Sequence, residues 1–224
     1  MKNLEILFLL FMIYSFLGWV VDIIGHYLST KKIINRGFFI GPYCPIYGFG
    51  ALFISFFLYF IPVKNYLFVF ISCIFICSLL EYVTSYVLEK VFHARWWDYS
   101  DEMFHINGRI CLKTMIPFGL LGFFIHFVTN PFFIYELSQL SCSTLFIICI
   151  LLIILFTIDI ILSFQVLIHF RTLISSSKAK DKTEDIRKIL KDKINKHQHI
   201  HKRLLTAYPI ISKKINQFIK KIKL

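Results

Sequence analysis

The chain has no Gly-x-x-x-x-Gly-Lys-Ser/Thr phosphate loop, which excludes it as a nucleotide-hydrolysing subunit. It has no group of four clustered zinc ligands either. Its six cysteines, Cys44, Cys73, Cys77, Cys111, Cys142 and Cys149, fall mostly within or at the ends of apolar runs, and only Cys73 and Cys77 lie one helical turn apart. They read as packed free thiols, so neither a metal, a cofactor nor a disulfide is expected. Acid is scarce, with 13 Asp and Glu against 25 Lys and Arg. No small-residue cleavage site follows the first apolar run, Leu4 to Ile24, so it reads as a membrane span rather than a cleavable signal peptide.

What is abundant is hydrocarbon. Of 224 residues, 57% are hydrophobic and 26 are Phe, more apolar than the half typical of soluble domains. Sustained apolar runs predict five spans, Leu4–Leu28, Pro45–Ile61, Tyr66–Leu88, Cys111–Phe127 and Thr144–Ile168, in an all-α transmembrane helical bundle. Lys and Arg number one before the first span, then three, one, four and none in successive loops, and sixteen after the fifth. That alternation places the N-terminus outside and the C-terminus in the cytoplasm of a multi-pass membrane protein. Residues 1–170 are thus expected to form the transmembrane domain and residues 171–224 a basic tail. Ile186, Ile189, Leu190 and Ile194 among its lysines suit an amphipathic helix on the anionic inner leaflet, rather than a nucleic-acid-binding segment. His197 and His201 would share a face of that helix, with His199 between them, but nothing completes a metal site.

Ionisable side chains inside apolar spans are costly, and Asp22, Glu81 and Asp159 are three such carboxylates. Asp22 and Glu81 each precede the next cytoplasmic base by nine residues, about 13 Å of helix, and Asp159 precedes Arg171 by about 18 Å. All three therefore fall in the cytoplasmic half. Trp19, Asp22 and His26 share one helical face; Ser78, Glu81, Ser85 and Glu89 share another; Asp159 and Ser163 are one turn apart. Such stripes either hydrogen-bond between helices or face each other around a polar cavity open to the cytoplasm. Two long loops carry the remaining polar groups. The first includes Asn35, Arg36 and the Gly41-Pro42-Tyr43-Cys44-Pro45 turn; the second holds Arg95-Trp96-Trp97-Asp98-Tyr99-Ser100 and Asn107-Gly108-Arg109. Trp96 and Trp97 read by position as an interfacial aromatic belt. Arg36, Arg95 and Arg109 are candidates for structural ion pairs or for gripping an anionic head group or phosphate.

Tyr14-Ser15-Phe16-Leu17-Gly18-Trp19, the segment Asn35 to Gly50, and Glu81 through Arg95-Trp96-Trp97-Asp98-Tyr99-Ser100 to Gly108-Arg109-Ile110-Cys111-Leu112 resemble the putative ABC-transporter type IV family. The resemblance runs over roughly the first 130 residues. It leads to the expectation of Glu at position 22 and Asn at position 105, where this chain keeps polar groups as Asp22 and His105. It implies a permease-like or transport-associated subunit of the bacterial inner membrane, served by a separate ATPase chain or another membrane subunit. On that reading Asp22, Glu81, Asp159, Trp19 and Ser85 line a substrate path. Asn35, Arg36, Arg95, Trp96, Trp97, Asp98, Tyr99, Asn107 and Arg109 form a loop site. Two other functions fit the same residues: a membrane enzyme or binding protein for a lipid or isoprenoid phosphate, with Asp98 or His105 as acid or base, and a scaffold that holds a partner through its tail.

Overall fold

Long apolar runs with no polar alternative for their backbone groups become helices, because in hydrocarbon every N–H and C=O must be satisfied within the segment. The computed structural model describes residues 2–31, 33, 35, 37, 39–60, 65–92 and 95–176. Helix α1 is Lys2–Thr30, α2 Pro45–Tyr59, α3 Tyr66–Phe92, α4 Leu112–Phe124, α5 Asn130–Gln139 and α6 Cys142–Ser176. A π-helical turn, Ile125–Thr129, joins α4 to α5, so that Leu112–Gln139 is one continuous rod. Among the described residues there is no strand, and an isolated antiparallel bridge pairs Ile106 with Ile110.

Four helices, Lys2–Leu28, Tyr66–Val91, Leu112–Gln139 and Cys142–Gln165, are long and apolar enough to cross a membrane. The second expected span is shorter: α2 has 15 residues, about 22 Å against a hydrocarbon core of about 30 Å. The fourth is longer than the sequence implies, since Asn130-Pro131 looks like an end but the rod runs on to Gln139. Pro131 has no N–H and its ring crowds the carbonyl four residues earlier. The π turn just before it accommodates this, with the Asn130 N–H donating to the Ile125 carbonyl five residues back.

That turn also aims a side chain. Asn130 is 5% exposed, accepts a 2.8 Å hydrogen bond from the Tyr14 hydroxyl of α1, and donates to Ser55 Oγ of α2. One buried amide therefore joins three helices. Around it lies an apolar core of Leu9, Leu10, Ala51, Ile125, Leu137 and Leu145. A second apolar cluster, Ile54, Leu58, Val69 and Cys73, packs α2 on α3. The tail beyond residue 176, and with it His197, His199 and His201, lies outside the described residues.

Helices α1 and α2 meet at Gly48, where a Cβ would strike Ser15 Oγ and the Phe11 carbonyl. Ser15 is fully buried and already bonded to that carbonyl at 2.7 Å, so it has no room to yield. Gly48→Ala is therefore expected to destabilise the protein by about 1–3 kcal/mol, the usual cost of overpacking. Gly25→Ala, whose new Cβ meets nothing within 4 Å, should melt at or slightly above the wild-type temperature. Thermal melts in detergent compare the two, and equal melting temperatures would refute a tight α1–α2 seam at Gly48.

Candidate functional site

Each of the three intramembrane carboxylates accepts a hydrogen bond from a tyrosine. The Tyr47 hydroxyl, in the first turn of α2, donates to Asp22 Oδ1 at 2.7 Å. Tyr99, in the loop after α3, donates to Glu81 Oε1 at 3.1 Å, and Thr114 of α4 donates to Glu81 Oε2 at 3.3 Å. Tyr43, in the loop after α1, donates to Asp159 Oδ2 at 2.6 Å, joined by the Gly41 N–H at 3.2 Å and Ser163 Oγ on the other oxygen at 3.3 Å. Asp159 is held by a separate set of donors, with Phe39, Tyr43 and Phe156 packed ring to ring beside it.

Both loops are anchored by the residues singled out in them. Asn35 Oδ1 accepts from the Trp19 indole at 3.1 Å and from the Gly37 N–H at 2.9 Å, while its amide donates to the Ile40 carbonyl at 3.2 Å. It thereby ties the first loop to α1 and shapes the turn. Arg36 lies outside the described residues. In the second loop Arg95 Nε meets both oxygens of Glu89, at 3.2 and 3.1 Å, and Arg109 reaches the same carboxylate at 2.7 Å. The Arg109 guanidinium also sits over the rings of Tyr82 and Tyr86, 5.6 and 5.3 Å from their centroids. Trp96 is 7% exposed and Trp97 donates its indole N–H to the Arg109 carbonyl at 2.9 Å. A belt facing lipid would leave both rings open, whereas here Trp96 is buried and Trp97 clamps the loop.

The loop turns at Asn107-Gly108. Both have positive φ, 53° and 66°, and the Arg109 N–H returns to the Ile106 carbonyl at 3.0 Å, the left-handed pair that favours Asn-Gly. Gly108 is required a second time, because a Cβ there would strike Asp98 Oδ1 and Ser100 Oγ. The Asn107 side-chain amide donates to the Tyr82 hydroxyl at 2.9 Å, and the Asn107 backbone carbonyl accepts from Arg95 at 3.3 Å. Ser85, one turn beyond Glu81, is 2% exposed.

The family described as Putative ABC-transporter type IV matches residues 9–164. The chain belongs to that family. The match is longer than the loop motifs alone imply: it takes in Asp159 and α6 as far as residue 164, as well as Asp22 and Glu81. No curated protein and no solved structure matches the chain. Family membership and four long apolar helices make it a multi-pass membrane protein, with the bacterial inner membrane its expected location.

Sequence reasoning left out Tyr47 and Tyr43 as donors, Thr114, and Asn130. The tyrosines were visible only as part of a Gly- and Pro-rich loop, and Asn130 fell beyond the expected end of its span. A signal for Gly108 was present, since Asn-Gly is among the strongest turn dipeptides.

Outside the helices, Asp98 is held below the ordinary carboxylate range, chiefly by the hydrogen bond from the Ser100 hydroxyl, then by the Ser100 N–H and the Arg95 charge. A depressed folded value means that this contribution is fully present above roughly pH 4 and is lost as pH falls through the folded value. A tryptophan fluorescence titration in detergent should show Trp96 and Trp97 losing their fixed environment on acidification. Asp98→Asn should remove that component; identical curves for variant and wild type would show that the loop does not depend on this charge.

Proposed function

We propose that the protein is the permease-like subunit of a bacterial inner-membrane transporter, with its N-terminus outside and its basic tail on the anionic cytoplasmic leaflet. A polar path runs past Asp22 and Glu81, with Trp19 and Ser85 beside them, and Asp159 secures the first loop at its edge. The observation that carries this reading is the pairing of three carboxylates at membrane depth with hydroxyls from the same short stretches of chain. Isolated structural hydrogen bonds between transmembrane helices yield only about 0.6 kcal/mol on average. That is little return for burying three acids, whereas an ion or substrate path needs them.

Energy would come from a separate ATPase chain, since this chain carries no phosphate loop. The competing reading, an enzyme or binding protein for a lipid or isoprenoid phosphate, needs free arginines. Arg95 and Arg109 are instead engaged by Glu89 and Asp98, which makes them loop anchors first.

Affinity purification from native membranes in mild detergent is expected to retain an ATPase chain in stoichiometric amount. In cells, Asp22→Asn and Glu81→Gln should each lower uptake or export of the substrate by about tenfold or more, the effect of roughly 1.4 kcal/mol at the path. A preparation that retains only phospholipid or isoprenoid phosphate, from cells in which both variants transport normally, would reject the permease reading.

A further inference from the structure

Asp159 and Glu81 are both buried, at 9% and 4% exposure, yet their donors differ. Asp159 meets three groups that each have a hydrogen to give: the Gly41 N–H, the Tyr43 hydroxyl, and the Ser163 hydroxyl, whose oxygen accepts in turn from the Ile40 N–H. Glu81 meets only two neutral hydroxyls, Tyr99 at 3.1 Å and Thr114 at 3.3 Å. Among the described residues neither a backbone N–H nor a lysine or arginine reaches its carboxyl. Thr114 has one hydroxyl hydrogen and a second, nearer acceptor for it, the Cys111 carbonyl at 3.0 Å. When that hydrogen turns to the carbonyl, only a proton on Glu81 Oε2 bridges the remaining contact.

The serines beside it point the same way. Hydroxyls on apolar helices usually settle on the carbonyl one turn back, as those of Ser15, Ser55 and Thr157 do at 2.7, 2.6 and 2.7 Å. Ser78 and Ser85 lie three residues before Glu81 and four after it, on the same helical face. They are 6% and 2% exposed, and the oxygen of each is buried without a hydrogen-bond partner. A buried charge left unmet costs more than a buried hydroxyl left unmet, so a charged Glu81 would draw one of them in. Neither is engaged. The cations of the neighbouring elements are committed elsewhere, Lys113 to Glu102 and both Arg95 and Arg109 to Glu89. Of the other titratable groups around α3, Asp22 of α1 and Tyr47 of α2 bond each other, Asp159 of α6 is held by Tyr43, the Cys77 thiol is directed to the Phe118 carbonyl, and the Cys111 thiol lies beside Thr114.

We infer that Glu81 is a proton-binding site: it holds a proton while Tyr99 and Thr114 cover it, and on losing that proton it turns to the hydroxyl of Ser78 or of Ser85. The inference rests on the reading of Glu81 as part of a polar path, and it names the proton as the ion taken up there. On release the O–H bond at Oε2 breaks with its electron pair left on the oxygen, and the proton passes to water. The carboxylate so formed accepts a serine hydroxyl, while Thr114 keeps the Cys111 carbonyl. Ser78 and Ser85 stand about 10.5 Å apart along the helix axis, so the carboxylate reaches one of them at a time. One donor is enough to answer one lost proton.

Infrared spectroscopy of the purified full-length protein in detergent, titrated from acid to alkaline pH, reads the proton as the carbonyl band of an un-ionised carboxylic acid. At pH 7 the wild type should show that band, displaced in heavy water and displaced again when the glutamate side chains are isotope-labelled. Glu81→Gln, which copies the shape and donor capacity of the neutral acid, should melt close to the wild-type temperature and lack the band. The Ser78→Ala/Ser85→Ala double variant, deprived of donors for the charged form, should keep its proton to higher pH, with the midpoint raised by about one unit, a tenfold gain in proton affinity. The absence of a glutamate carboxylic-acid band at pH 7 would overturn the inference, and so would a band that survives Glu81→Gln. An unmoved midpoint in the double variant would overturn the part given to the serines. The permease reading stands or falls separately: an ATPase retained by a protein without the band removes the proton site alone, and the band in a protein that retains no ATPase leaves the proton site without that role.

Discussion

A carboxylate within the apolar layer must be met by donors, and that requirement explains more of this structure than any other. Ionised groups carried to membrane depth cost several kcal/mol unless charge or hydrogen bonds compensate them. Here the compensation comes from tyrosine hydroxyls, each amphipathic enough to have its ring in apolar packing and its oxygen on an acid. Because Tyr43, Tyr47 and Tyr99 belong to the segments that follow α1 and α3, those segments must fold back over the helix ends. Asn35 ties the first of them to Trp19, and Glu89 gathers Arg95 and Arg109 to hold the second. The loop residues that look functional in the sequence are therefore in part the means by which the acids are kept covered.

The opposite part of the bundle solves a related problem without charge. Pro131 would break the fourth rod, the π turn absorbs it, and the resulting rotation presents Asn130 to Tyr14 and Ser55. An amide bonded through both its oxygen and its nitrogen fixes the relative placement of α1, α2 and α5 in a setting where apolar packing alone discriminates poorly between registers. The glycine contact at Gly48 sets how closely α1 and α2 approach. Together these features define a rigid frame at one end and a polar, covered region at the other.

Much of this was legible. A charge in an apolar run is conspicuous, so Asp22, Glu81 and Asp159 stand out, and helical spacing correctly puts Ser78 and Ser85 on the face of Glu81. What was hidden is which neutral group answers each charge. Tyrosines near the ends of spans are common interfacial residues, and nothing local marks Tyr43 as a partner of Asp159 more than a hundred residues away. The fourth span reads as ending at Phe127 but runs on to Gln139, because the π turn that carries the helix past Pro131 has no sequence signature. Conversely Arg95 and Arg109 look available for a ligand until their distances to Glu89 are known.

The arrangement of Asp22 and Glu81 has a further regularity that short motifs conceal. Gly41, Cys44 and Tyr47 have the same spacing as Gly108, Cys111 and Thr114. Cys44 and Cys111 both precede their helices in extended conformation, and the N–H three residues on, of Tyr47 and of Thr114, returns to each cysteine carbonyl at 3.1 and 3.0 Å. In both cases that third residue sends its hydroxyl to the carboxylate of the preceding helix. The hairpins α1–α2 and α3–α4 thus deliver a buried acid by the same local construction despite almost no other common sequence. Two hairpins built alike each cover one acid, Asp22 on α1 and Glu81 on α3. Asp159 is fastened instead to the first loop, by the Gly41 N–H and the Tyr43 hydroxyl.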